Sequence, residues 1–301
     1  MALLACASAA EAAAPRKKVG DLCEGCLATV PEGTEPVPLL VTLHGDWGHM
    51  APDLHRAWER FAAPRDVALL SLACPAKLGC KDSWWRWNGD PSWIVAQVDR
   101  LAAARPIDRD RMWIAGWSGG ASYIGMRTQE IERTFAGIVI HGGGIWPSPS
   151  DCPTTKARVV FLVGDKNPLH DYALALRDHY ARCGNDLVMH LLKGAEHDAE
   201  WKALSEKGDA VMTSLVTARM APPAAAAVVT SSSPPATAPA PVAVQNAPVP
   251  AELPVRPRAG CSCEAGARDE RALAAIVVVL LAAVRRRRQP CAIRTERARS
   301  R

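Results

Sequence analysis

The sequence predicts an α/β fold, a mostly parallel sheet with helices covering both faces. Three observations predict it: short apolar runs bounded by Gly, Pro and polar residues, amphipathic stretches between them, and strand–helix alternation at roughly 30-residue spacing. Val37 to His44 (VPLLVTLH) is apolar, is closed by Gly45, and reads as a buried strand. Asp53 to Ala62 sets Leu54, Ala57, Trp58 and Phe61 on one helical face. Val67 to Ala73 is the next strand and Ile94 to Ala104 the next helix. Met112 to Ala115 is a strand running directly into Gly116-Trp117-Ser118-Gly119-Gly120, with a helix from Ala121. Ala136 to His141 and Arg158 to Val163 are further strands. His170 to Arg182 is a helix, Leu187 to Leu192 a strand, and Ala199 to Val216 the final helix.

This pattern occupies residues 19 to 218 of a 301-residue chain. Residues 219 to 258 form a linker rich in Pro, Ala and Thr, and residues 259 to 301 hold Cys261-Ser262-Cys263, an apolar run and an Arg-rich end. The formal net charge of +5 misleads: Arg285 to Arg301 contains eight Arg and one Glu, which leaves the rest of the chain at −2. The basic balance belongs to a tail, and no basic patch interleaved with aromatics points to nucleic acid.

Both ends read as targeting segments. Residues 1 to 18 begin Met1-Ala-Leu-Leu-Ala-Cys6 and continue through an A-x-A-rich stretch. They resemble the end of a secretory signal peptide without its basic n-region, and Leu3-Leu4-Ala5-Cys6 resembles a weak lipobox. A plain Ala-rich start is the alternative. At the other end, Ala272 to Val284 is apolar and Arg285 to Arg288 follow. Thirteen residues at 1.5 Å rise span roughly 20 Å, short of a hydrocarbon core of about 30 Å. The order of linker, Cys-x-Cys, short apolar helix and Arg cluster resembles the MYXO-CTERM sorting tail of myxobacterial surface proteins. That resemblance implies processing near Cys261 or Cys263, contact with export and sorting machinery, and transient membrane anchoring. An ordinary transmembrane anchor is the alternative, its Arg block cytoplasmic and the domain outside. Ten cysteines also fit an oxidising compartment, with Cys23 and Cys26, Cys74 and Cys80, and Cys152 and Cys183 near loops or element ends, although the sequence does not give their pairing. Cys23-x-x-Cys26 has no second CxxC or His cluster beside it, so neither a metal nor a cofactor is expected.

Gly116-Trp-Ser118-Gly-Gly120 matches G-x-S-x-G at a strand end followed by a helix. There the small residues permit a sharp turn that lifts the hydroxyl above the sheet and aims a helix N-terminus at it. Ser118 needs a base. His197 lies past the last strand, in Leu191-Leu-Lys-Gly-Ala-Glu-His197-Asp, in the chain order this chemistry uses. His44 and His49 precede the elbow, His141 ends the next strand, and His170, His179 and His190 sit on elements.

With these residues the chain resembles the secreted polyhydroxybutyrate depolymerase and feruloyl esterase-like branch of the α/β hydrolases. The resemblance covers roughly residues 37 to 205. It is carried by Trp84-Trp-Arg-Trp87, Val98-Asp99-Arg-Leu101 and Ile107-Asp-Arg-Asp-Arg111-Met-Trp-Ile-Ala-Gly-Trp-Ser118. It implies a Ser-His-acid esterase acting on a small or polymeric ester. The acid is expected after the strand ending at Val163, in Gly164-Asp165-Lys166-Asn167-Pro168-Leu169-His170-Asp171. Where such hydrolases have G-x-x-D, this chain has Asn167. Asp165 is the first candidate and Asp171 a further one, while Asn167 itself could orient the imidazole through its amide oxygen, as in Cys-His-Asn enzymes. The oxyanion donors are expected to be the backbone N–H of Gly119 and that of Asp46 or Trp47. His141-Gly-Gly-Gly144 spells a lipase oxyanion string, but it follows Ser118 and reads as a loop at the site's rim. Trp84, Trp85 and Trp87, with Trp93 nearby and Trp117 in the elbow, are either loop packing or a substrate-cleft wall. Two rival functions stand beside the esterase: a surface binding protein that has lost turnover, suggested by Asn167, and a serine peptidase.

Overall fold

The computed structural model describes residues 13–146 and 151–220. The leader-like start up to residue 12, the linker from residue 221, the Cys-x-Cys segment, the apolar helix and the Arg tail lie outside the described residues. Among the described residues no helix is long and apolar enough to cross a membrane.

Eight strands form one sheet, in chain order β1 (Arg16–Lys18), β2 (Leu27–Pro31), β3 (Val37–Leu43), β4 (Ala68–Leu72), β5 (Ile107–Trp117), β6 (Gly137–His141), β7 (Arg158–Gly164) and β8 (Asp186–Leu192). Their spatial order is β1-β2-β4-β3-β5-β6-β7-β8, with the last six parallel and β1 and β2 antiparallel at one edge. Among the described residues six α-helices accompany them, five between strands and one after the last: α1 (Ala51–Ala62), α2 (Ser92–Ala104), α3 (Gly119–Gly125), α4 (Thr128–Glu132), α5 (His170–Arg182) and α6 (His197–Val216).

Strand periodicity assigns side chains to the two faces. Leu39, Val41 and Leu43 of β3 join Val159, Phe161 and Val163 of β7 in one layer, covered by Ile94, Val98 and Leu101 of α2 and Leu176 and Tyr180 of α5. Leu40, Val160 and Leu162 point the other way, into a layer closed by Leu54, Trp58 and Phe61 of α1 and Leu204, Val211 and Leu215 of α6. Each such side chain contributes about 1.5–3 kcal/mol on full burial, and burial on both faces is why the strands read as continuous apolar runs.

Three differences from the sequence reading matter. The sheet starts at Arg16, inside the leader-like stretch of residues 1 to 18, because β1 pairs with β2 and Arg16 forms an ion pair with Glu59 of α1. Strand β5 runs from Ile107, well before Met112. Helix α6 starts at His197 rather than Ala199. Among the described residues three disulfides join Cys23–Cys26, Cys74–Cys80 and Cys152–Cys183.

Candidate active site

The parallel strands β3, β5, β6, β7 and β8 present their C-terminal ends to one edge of the sheet, and the loops there bring the polar side chains together. Strand β5 ends at Trp117 and α3 starts at Gly119, so Ser118 alone makes the turn, at φ 52° and ψ −109°. A non-glycine residue holds such a conformation only where its surroundings over-determine it. Here the Ser118 N–H donates to His141 O of the adjacent strand, at 2.9 Å. Gly116 and Gly120 are required by close approach: a Cβ on either would run into backbone, that of Ala121 at Gly116 and that of Leu43 at Gly120.

His197 Nε2 stands 2.8 Å from Ser118 Oγ. Its ring lies flat on Trp117, with centroids 4.6 Å apart and planes within 5°. Its Nδ1 is 3.0 Å from Glu200 Oε2. His197 and Glu200 sit three residues apart on the first turn of α6, a spacing that puts two side chains side by side. Glu200 has no solvent exposure. It accepts hydrogen bonds from Asn167 Nδ2 at 2.6 Å and from the Gly164 N–H. The imidazole therefore carries its proton on Nδ1, facing a carboxylate, and leaves Nε2 to accept from the serine.

Asn167 is buried, and its amide orientation is fixed by what it meets. Oδ1 accepts the Leu169 N–H at 2.7 Å, and Nδ2 donates to Gly142 O at 3.1 Å as well as to Glu200. Its oxygen thus faces away from the imidazole, contrary to the expectation that it orients the ring; the 3.2 Å approach of Nδ2 to His197 Nδ1 brings two donors together. The expectation for Asp165 also fails on geometry. Its carboxylate accepts the Gly194 N–H at 2.7 Å and closes the turn after β8, and no hydrogen bond links it to His197 among the described residues. Asp171 is exposed in the first turn of α5. The sequence reading missed Glu200 because the predicted helix began at Ala199, which hid its one-turn relation to His197.

Of the expected oxyanion donors, the Gly119 and Asp46 N–H groups have no acceptor among the described residues, whereas the Trp47 N–H donates to Asp82 O at 3.3 Å. Trp47 is therefore removed from that role. The Asp46 side chain packs against Gly119, and burial pushes its carboxyl above the usual range. The His141–Gly144 string lies beside the elbow, with Gly143 against the Ser118 backbone and Gly142 O held by Asn167.

The tryptophans separate. Trp84 and Trp87 are buried and pack on Tyr123 of α3, at 5.3 and 5.6 Å, fastening the preceding loop to the elbow helix. Trp117 is buried behind His197. None of these three lines the cavity beside Ser118, whereas Trp85, 38% exposed, does. It lines this cavity, of about 450 Å³, with Asp46, Ser118, Gly119, Ser122, Ile145, Leu169 and Tyr172. No group of three or more His, Cys, Asp or Glu side chains is placed to hold a metal among the described residues.

No family model matches the chain, and no curated protein matches it. Solved structures do. The S-formylglutathione hydrolase (FrmB) of Staphylococcus aureus aligns with a TM-score of 0.50 at 14% identity, over 66% of this chain and 97% of that one. A carboxylesterase of Bacillus cereus gives 0.50 at 16%, over 63% and 93%. A thermostable esterase gives 0.50 at 18%, over 65% and 59%. The likeness establishes the α/β-hydrolase fold.

Proposed function

We propose that the chain is a serine hydrolase of carboxylic esters, with Ser118 as nucleophile and His197 as base. The observation that carries this is the 2.8 Å contact between Ser118 Oγ, lifted by a strained strand–helix turn, and an imidazole nitrogen 79 positions away in the chain, beside a cavity. Ser118 Oγ attacks the ester carbonyl carbon and its proton passes to His197 Nε2. The Gly119 and Asp46 N–H groups face the oxyanion. Collapse breaks the C–O bond, the alcohol leaves with the proton from Nε2, and water repeats the sequence on the acyl-enzyme. Esters are favoured over other acyl compounds because two of the similar structures are named esterases.

A fluorophosphonate probe and a chromogenic ester test the reading on the full chain. Labelling maps to Ser118 and is lost with hydrolysis in Ser118→Ala. His197→Ala lowers kcat by about a thousandfold or more. Wild-type hydrolysis by Ser118→Ala, or a folded chain inert to the probe, would sink it.

Export belongs to the same proposal. It draws support from the leader-like start, the sorting-type tail and the three disulfides, bonds that persist in oxidising compartments. Cell fractionation of the full chain against one ended after residue 230 tests it.

A further inference from the structure

We infer that Glu200 is the carboxylate that positions His197, and that Asn167, standing where the G-x-x-D pattern puts the acid, clamps Glu200 instead of replacing it. The inference rests on the Ser118–His197 reading and names the third member of that site.

A carboxylate without solvent exposure is tolerated only where donors surround it. Glu200 has three: the His197 Nδ1–H at 3.0 Å, Asn167 Nδ2 at 2.6 Å and the Gly164 N–H. Two of them come from the end of β7 and the loop beyond, the segment that carries the acid in the G-x-x-D pattern, and both are spent on holding the glutamate. Asn167 cannot take the acid's part itself, because its oxygen is committed to the Leu169 N–H. An aspartate at 167 would set two carboxyl groups at hydrogen-bond distance, where they cannot both stay charged. The residues at 167 and 200 are thus complementary, one amide and one acid facing one imidazole. Glu200 reaches the reacting hydroxyl only through His197, so it is a positioning residue. During transfer the proton on Nδ1 stays on the ring, shared with Oε2, while Nε2 takes the serine proton.

Exchanging the two roles is the test. Rates of fluorophosphonate labelling and kcat for a chromogenic ester are measured on the full-length protein, with thermal midpoints to establish folding. Glu200→Gln is expected to lower both rates at least a hundredfold, with the loss in kcat rather than KM. N167D/E200Q, which returns a single carboxylate beside the same ring nitrogen from position 167, is expected to recover at least tenfold over Glu200→Gln. A general structural role for Glu200 would predict no such recovery. A folded Glu200→Gln variant at wild-type rate overturns the inference, as does an exchange no faster than Glu200→Gln. Should Glu200→Gln not fold, Glu200→Asp keeps the charge but withdraws it by one methylene. It must then be slower than wild type, and equal rates overturn the inference. Failure of the nucleophile reading is separate: it appears as labelling that survives Ser118→Ala in the wild-type background.

Discussion

Two histidines at the C-terminal ends of β3 and β6 are shifted toward the neutral form by burial, and this has a measurable consequence. His141 is 1% exposed, its Nε2 meets Glu200 O at 2.9 Å, and burial pushes it down to about 4 from 6.5. His44, also buried, is lowered for the same reason; its Nδ1 lies 2.6 Å from Gly45 O and its Nε2 accepts the Cys74 N–H at 3.0 Å. A histidine lowered in the folded state binds its proton more readily when unfolded, so its stabilisation is complete above 6.5 and is lost as pH falls toward the folded value. For His141 the window runs from 6.5 down to about 4, and the loss across it is about 3 kcal/mol. Denaturant midpoints at pH 7.5 and pH 5 check this: the drop should be smaller in His141→Asn than in wild type. Equal drops would mean that His141 does not titrate with unfolding. Asp46 and Glu132, raised by burial, act in the opposite sense, losing stabilisation as pH rises, so the comparison must be between variants rather than between pH values alone. At this scale Ser118 and His197 were legible in the sequence, because a G-x-S-x-G motif and a histidine after the last strand each carry a local signature. Glu200 was not. A glutamate inside the polar run Glu196-His197-Asp198-Ala199-Glu200 looks like an ordinary helix start, and only three-dimensional packing reveals that it has no solvent exposure.

Secondary-structure elements were legible where they carry an apolar run of sufficient length. The parallel strands β3 to β8 lie under helices, and their apolar runs gave the α/β class directly. The antiparallel strands β1 and β2 went unread because Arg16–Lys18 is short and charged and Leu27–Pro31 (LATVP) has five residues with only a brief apolar signal. The start of α6 went unread because Glu196 offers no side-chain cap and the first turn is polar. The Cys152–Cys183 bond ties the segment before β7 to the end of α5, across 31 residues that include Asn167. Closing a loop of that length removes entropy from the unfolded chain worth about 3–4 kcal/mol. Replacing both cysteines by Ala should lower the unfolding free energy by an amount of that order in chemical denaturation, and an unchanged midpoint would show that the bond does not constrain the unfolded state.

The chain as a whole divides after residue 230, and the side chains of both packed layers and of the site lie between residues 19 and 220. A chain ended after residue 230 should keep the thermal midpoint and probe-labelling rate of the full chain, and should be released to the medium where the full chain stays with the cells. A fall in midpoint would give the tail a structural role, and identical fractionation would remove its sorting role. Placing base and carboxylate on a single helical turn also changes what motion can do to the site. In an arrangement with the acid on a separate loop, loop movement parts acid from base. Here imidazole and carboxylate share one helical turn, so helix geometry fixes the relation between ring and acid, while Asn167 and Gly164 fasten that turn to the end of β7 and the loop beyond. In the proposed hydrolase the seating of α6 against β7 would set the distance from His197 to Ser118, with the ring still facing its carboxylate.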